Sequence, residues 1–294
     1  MKKIIILIPV FNDWESLKKL LNEIEENVRN IKNILIECLV INDASTIQQP
    51  KLIKPKSFQS LKILNMKKNK GHARCNAFGI RFISKNKDFD NLILMDGDGE
   101  DRPVELIKLI NKSFQDPENS VVAKRIKRSE GPFFQFLYLM HKITTLLFTG
   151  KKINFGNYSC LTKNDVEKLS SKASLWSSYS GSVKKNISAF NEIDSIRGER
   201  YFGPSKMSLY KLIIHSFSII AVFKYQVLIR SILLILITGY LNTNFAFSLI
   251  LFQTLIILFC IAIFLVSLRE NKEELFNSEN NLENFKDVTH QKVE

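Results

Sequence analysis

The chain has 294 residues, 45% of them hydrophobic and 24% charged, with a formal net charge of +13. This composition excludes a disordered or fibrous chain and is enough for one large domain or two. The basic excess calls for an anionic partner: phosphate groups, anionic lipid or nucleic acid. The four cysteines (Cys38, Cys75, Cys160, Cys260) show no CxxC spacing and read as reduced, mostly buried thiols of a cytosolic protein.

Ile4 to Val10 reads as a first buried strand. A signal peptide would need a longer apolar core and a small-residue cleavage site, and neither is found. After Asn12 and Asp13 the period becomes helical, with Leu17, Leu20, Leu21, Ile24 and Val28 on one face. Ile34–Ile41 reads as a second strand ending at Asn42-Asp43-Ala44-Ser45-Thr46. Leu61–Asn65 is a third, leading through Asn69-Lys70-Gly71-His72-Ala73-Arg74 into a helix to about Ile83. Strands alternating with helices predict a parallel sheet with the polar strand ends at one edge. Asp13, Asp43, Arg74 and the next cluster are therefore expected to share a crevice.

That cluster follows a fourth strand, Leu92–Met95, as Asp96, Asp98, Glu100 and Asp101. On an extended backbone Asp96, Asp98 and Glu100 would point to one side. Three carboxylates so close favour a cation, and oxygen-only ligands favour Mg²⁺ or Mn²⁺. An acidic surface turn is the other reading. An EF-hand is a poorer one, because Asp101 and Ile107 stand where its Gly and Glu belong.

These segments resemble family 2 glycosyltransferases of the GT-A fold. Ile8-Pro9-Val10-Phe11-Asn12 looks like their opening, and Asn42–Thr46 is similar to their D-D-G-S-T segment with Asn and Ala substituted. Asn69–Arg74 is similar to their N-x-G loop, and Asp96-Gly97-Asp98 to their metal-binding D-x-D. The likeness is greatest to the polyprenyl-phosphate branch, which includes dolichyl-phosphate mannose synthase and bactoprenol glucosyltransferases. It spans roughly residues 4 to 225, more strongly in the first hundred.

The resemblance implies an inverting transferase. Pro9, Asn12, Asp13, Asp43, Gly71, Arg74 and Asp96 would bind the nucleotide sugar, and Asp96, Asp98 and Glu100 the metal on its diphosphate. Arg125 and Arg128, in the basic run Lys124–Arg128, would act with Asp98 in catalysis and bind the acceptor phosphate with Arg200, Ser205 and Lys206. The Lys124–Arg128 run also reads as a solvated loop. Asn154, Asn157 and Tyr158 are candidates to face the sugar, against simple turn structure. No Walker A or GxGxxG sequence appears.

Transferases with a hydroxyl acceptor usually carry an acidic base well after the D-x-D, but Ser174–Ser180 holds no carboxylate. A phosphate monoester, with a second pKa of about 6, needs no base. The expected acceptor is therefore an undecaprenyl- or dolichyl-type phosphate. The alternatives are a glycan or lipid hydroxyl in cell-envelope polysaccharide synthesis, or a non-enzymatic, membrane-tethered anion-binding protein. Nucleic acid is not an expected partner, because the basic groups flank apolar helices.

The expected organisation is a GT-A catalytic domain over 1–205, containing an interfacial helix at 132–149, and a second interfacial amphipathic helix over 206–224. A transmembrane hairpin over 225–268 follows, with segments 225–241 and 245–268 joined at Asn242-Thr243-Asn244 and Arg230 snorkelling to the headgroups. His141 and His215 read as interface polar positions. Lysines and arginines flank the hairpin, so its ends and the catalytic domain are expected in the cytoplasm. Hairpins of this kind often pack against their own copies, giving a homo-oligomer, although Phe245–Leu268 has no GxxxG face. The polar tail, 269–294, is expected to be poorly ordered.

Overall fold

The computed structural model describes residues 1–127, 131–203, 208–241 and 246–289. Their centre is an eight-stranded sheet of order β7-β5-β6-β4-β1-β2-β3-β8. β1 (Lys2–Val10), β2 (Ile34–Asn42), β3 (Phe58–Met66) and β4 (Asn91–Leu94) form its parallel part. β1 is central, with Ile4 to Ile8 buried on both faces, which is why it reads as an unbroken apolar run. α1 (Trp14–Val28) covers one face through Leu17, Leu20, Leu21, Ile24 and Val28. α2 (His72–Asn86) covers the other, approaching β1 so closely that a Cβ on Gly79 would lie 2.5 Å from Leu7 Cδ1.

The four strands read from the sequence pair in parallel as expected, and the later strands make the sheet mixed. β5 (Ser120–Lys127) is antiparallel to β6 (Phe155–Thr162), β6 to β4, and β7 (Phe190–Ile196) parallel to β5. Apolar runs carry no direction. It is set here by α3 (Leu106–Gln115) and α4 (Pro132–Thr149), which place the chain ends. α5 (Lys163–Ser170), α6 (Ala173–Ser177) and α7 (Tyr179–Asn186) pack on the α2 face.

α8 (Leu209–Ala221) is followed by α9 (Lys224–Leu241) at a bend of 87°, and then by α10 (Ala246–Ser267). At about 1.5 Å per residue α10 is about 33 Å long, enough to cross a bilayer. By length and composition it is the span candidate among the described residues; α8 and α9 pass only when counted together as one bent unit. α9 and α10 lie side by side, Gln253 Nε2 donating to Ile235 O at 3.1 Å. The expected turn at Asn242–Asn244 lies outside the described residues. Arg230 does not simply reach outward: its Nη1 donates to Leu147 O at 3.1 Å and its guanidinium covers Gly150, the left-handed C-cap of α4. A cation there meets the carbonyl end of the helix dipole.

From Arg269 to residue 289 the tail is ordered, contrary to expectation. α11 (Lys272–Phe276) packs on α6, and β8 (Leu282–Asp287) pairs antiparallel with β3 over Lys62–Met66. Val288 N donates to Leu61 O at 2.9 Å, and Leu275 is fully buried. A polar sequence suffices because the exposed edge of β3 supplies the hydrogen-bond partners.

Candidate active site

The chain runs β1-β2-β3 outward in one direction and then returns to lay β4 on the opposite side of β1. The crevice past the ends of β1 and β4 is thus the switch point of the sheet, where ligands bind in such folds. The two strand ends touch. Met95 N donates to Leu7 O at 3.2 Å, and a Cβ on Gly97 would lie 3.0 Å from Pro9 O.

From the β1 side come Pro9, Asn12 and Asp13. Asn12 has a left-handed backbone (φ 51°), and its Oδ1 accepts from Thr46 N at 2.8 Å and Ile47 N at 3.0 Å, tying β1 to the loop after β2. In that loop Ala44 also has positive φ (56°), at the position where the resembling family has Gly. Asp43 is buried and both its carboxylate oxygens are engaged, by Lys70 N and Gly71 N at 2.7 Å each. Its visible work is to hold the loop before α2, and burial raises its pKa.

From the β4 side come the carboxylates, and they do not form one extended row. The strand stops at Leu94, and Gly99 takes φ 89°. Asp96 faces Asn157, whose Nδ2 donates to Oδ1 at 2.9 Å. Asp98 is paired with Arg200, which also binds Asp13 Oδ2 at 2.6 Å, and Glu100 is paired with Arg197. Burial raises the Asp98 pKa to about 6, with Asp96 and Glu100 adding to the effect and Arg200 opposing it. Asp101, 4% exposed, accepts from Asp96 N at 2.9 Å, and burial followed by the Asp96 charge pushes it to about 8.

Arg200 was expected at the acceptor phosphate. Instead it bridges two carboxylates, because the chain after β7 folds down onto the cluster. Gly198 N donates to Glu100 O at 2.8 Å, Tyr201 N to Asp98 O at 2.9 Å, and Tyr201 OH to Glu23 Oε2 at 2.5 Å. Sequence reasoning missed Glu105, which anchors this strap through Ser195 Oγ (2.5 Å) and Ile196 N (3.0 Å). Its position beside Pro103, just past the acidic cluster, was the available signal. Arg128, Ser205 and Lys206 lie outside the described residues.

Arg125 lies against Gly156 on the neighbouring strand β6, and a side chain there would collide with its guanidinium. Of the sugar candidates, Asn157 holds Asp96. Tyr158 is buried and donates to Arg102 O at 2.9 Å, so it does not face the crevice. Arg74 sits over the Trp176 ring (5.6 Å to the centroid), beside a cavity of about 430 Å³ also lined by Lys70, Phe78 and Glu274. Glu274 brings a carboxylate to the stretch that lacks one in sequence, and its Oε2 accepts from Trp176 Nε1 at 2.9 Å. A larger cavity, about 630 Å³, opens at Lys2, Asp88 and Lys163 on the opposite sheet edge, away from this chemistry.

The family model for glycosyl transferase family 2 matches residues 5–175, more than half of the chain and the whole of this crevice except its arginine strap. The chain belongs to glycosyltransferase family 2. The matched segment is its transferase domain, carried on the mixed α/β sheet. An uncharacterised protein of Methanocaldococcus jannaschii is 24% identical over 111 residues, 37% of this chain; the match spans 45% of that relative. Glucosyl-3-phosphoglycerate synthase from Mycobacterium tuberculosis in complex with UDP aligns at 12% identity with a TM-score of 0.49, covering 77% of this chain and 80% of that one. The same synthase with Mn²⁺, UDP-glucose and phosphoglyceric acid gives the same values.

Proposed function

We propose that this transferase moves its sugar to the phosphate of a polyprenyl phosphate, with inversion, at the cytoplasmic face of a membrane. The observation that carries the reading is the company of the crevice. α8 reaches the crevice through His215, whose ring lies 5.4 Å from that of His72 beside the Gly71 loop, and α4 and α8 expose Leu139, Ile143, Leu146, Leu209 and Ile213. An apolar acceptor with an anionic end would meet apolar helices and the sugar-transfer site together. Around the acidic cluster, moreover, the carboxylates among the described residues all have partners: Asp13 and Asp98 on Arg200, Glu100 on Arg197, Asp96 on Asn157, Asp101 on a backbone N–H. A phosphate acceptor, already ionised, asks for no base among them.

Asp96, Asp98 and Glu100 are oxygen donors of the kind a divalent cation takes. Arg200 and Arg197 hold Asp98 and Glu100, however, and among the described residues no three such groups converge as a metal site, so a cation would displace the two arginines. Asp96, Asp98 and Glu100 would hold Mg²⁺ or Mn²⁺, which when bound offsets the charge on a leaving nucleoside diphosphate. Asn157 orients Asp96, and Asp101 fixes the backbone between them. Asn12, Asp13 and Gly71 border the donor pocket, and Arg125 faces the acceptor side.

Both flanks of the α9–α10 pair return to the catalytic domain, α8 through the α7 side of the core and α11–β8 through β3. If α10 crosses, α9 must cross back, which supports a two-span hairpin with both ends on the catalytic side.

Glu274 is the observation that favours a hydroxyl acceptor, since it is a carboxylate next to Arg74 and the cavity. Two variants separate the readings. The enzyme is assayed with a panel of radiolabelled nucleotide sugars and polyprenyl phosphate, with Mn²⁺ or Mg²⁺. An acid-labile, lipid-soluble product that is lost in Asp98→Ala and kept in Glu274→Gln supports the phosphate acceptor. Transfer only to hydroxyl acceptors, abolished in Glu274→Gln, overturns it.

A further inference from the structure

On the nucleotide-sugar reading, two loops border the donor: Asn42–Thr46 after β2 and Asn69–Gly71 before α2. Asp43 fastens them to each other. Asn69 Nδ2 donates to Asp43 O at 3.1 Å, and Lys70 N and Gly71 N donate to its carboxylate at 2.7 Å each. Each loop is also held by the tail.

The first attachment is Asn281, which brackets Lys68. Its Oδ1 accepts from Lys68 N at 3.1 Å and its Nδ2 donates to Lys68 O at 3.0 Å. Its backbone O accepts from Lys67 N at 2.8 Å. β3 ends at Met66, so these bonds carry the pairing with the tail past the strand and up to the start of the Asn69–Gly71 loop.

The second attachment is a row of amides. Asn42, Asn65 and Asn284 stand in register across β2, β3 and β8. Asn65 Nδ2 donates to Asn284 Oδ1 at 2.7 Å, Asn42 Nδ2 to Asn65 Oδ1 at 2.8 Å, and Ser45 N to Asn42 Oδ1 at 3.0 Å. Ser45 Oγ in turn accepts from Asn12 N at 2.9 Å, which brings the row to the end of β1. Asn42 and Asn65 each give one hydrogen bond and take another, and bonds in such a chain polarise one another. Asn42 replaces the first Asp of the resembling family's D-D-G-S-T segment, and here its Nδ2 supplies a donor that a carboxylate lacks.

We infer that Asn281 and Asn284 of the tail are positioning residues for the nucleotide sugar. They act through Lys67 and Lys68, and through Asn65 and Asn42, on the two loops that border it. This rests on the donor-pocket reading and adds the tail to that pocket. α11 begins at Lys272 just after α10 ends at Ser267, so the tail also joins the donor loops to the apolar helices.

The test is calorimetric titration of UDP, GDP, ADP, CDP and dTDP, each with Mn²⁺, into the full-length protein in detergent. The tightest binder is then used with the variants. Asn281→Ala and Asn284→Ala are each expected to weaken it by about three- to tenfold, with the number of titrating sites unchanged. Loss of folded protein alone would lower the number of sites and leave the Kd where it is. In an Asn65→Ala background, Asn284→Ala should weaken binding no further, because Asn284 meets Asn42 through Asn65; an additive loss overturns the row. Lys85→Ala removes the tail's 3.0 Å ion pair between α2 and Glu279 and should bind as wild type; an equal loss there overturns the special role of the two amides. Unchanged Kd in both Asn281→Ala and Asn284→Ala overturns the positioning role and leaves the donor reading standing. A wild type that binds none of the five nucleotides overturns both.

Discussion

Ala44 stands where the resembling family has Gly, and the backbone explains the cost: φ is 56°, with Ala44 N donating to Asn42 O at 2.9 Å. A left-handed alanine costs about 1–2 kcal/mol, against which glycine's greater freedom in the unfolded chain returns about 0.4–1 kcal/mol. Ala44→Gly should therefore stabilise the protein by about 0.5–1 kcal/mol, read from the urea midpoint. Asp98 makes a second prediction, about pH. Its pKa is raised from 3.8 to about 6, so ionising it costs folded-state stability, and ligand-free stability falls as pH rises through that window. A divalent cation needs the ionised form. The rise in melting temperature on adding Mn²⁺ should be full above pH 6 and fade as pH drops through about 6; a pH-independent rise would count against Asp98 as a ligand. At this scale Asp96 and Asp98 were legible from type and spacing. Their partners were not, because Arg197 and Arg200 lie some hundred positions away and only the fold of the strap brings them in.

Among the elements, the tail was misread for a definable reason. Residues 282–287 have no apolar alternation to announce a strand, and most are exposed in the folded protein. β8 exists because β3 has an unpaired edge, a property of the sheet rather than of the segment. A chain ending at Arg269 should melt lower by about 5 °C, and its Lys62–Met66 amides should lose protection from hydrogen exchange. Unchanged protection there would mean that β8 contributes nothing to the edge. The histidines carry the same lesson. On α8 taken singly, His215 is a polar interruption of an apolar face, and its ring contact with His72 of α2 appears only when the two helices dock.

For the molecule as a whole, the question is how a soluble-type sheet and an apolar pair of helices share one chain. α10 exposes Ile250, Leu251, Leu255, Leu258 and Leu265, while Ile256 and Ile263 pack inward with Phe148, Ile220 and Val227. Among the described residues nothing covers the outward face, and a bilayer is a solvent in which such a face would cost little. Leu258→Arg, 56% exposed at mid-helix, should raise the insertion cost by about 2.5–3.5 kcal/mol and shift protein from the membrane fraction to the soluble or degraded one. Retention unchanged under alkaline extraction would argue that α10 covers a protein partner instead.

By itself the sequence determined the parallel half of the sheet, the helix faces, the acidic cluster at a strand end and the long apolar segment. Each rests on local periodicity or on neighbours within a few residues, and such signals survive without the fold. Only the tertiary structure decided which way β6 runs, what holds each carboxylate, where the tail goes and which histidines meet. Those outcomes depend on contacts between segments 60 to 220 positions apart, such as Asn157 on Asp96 and Asn284 on Asn65. No local pattern encodes such a contact, because its free energy exists only once both partners have been brought together.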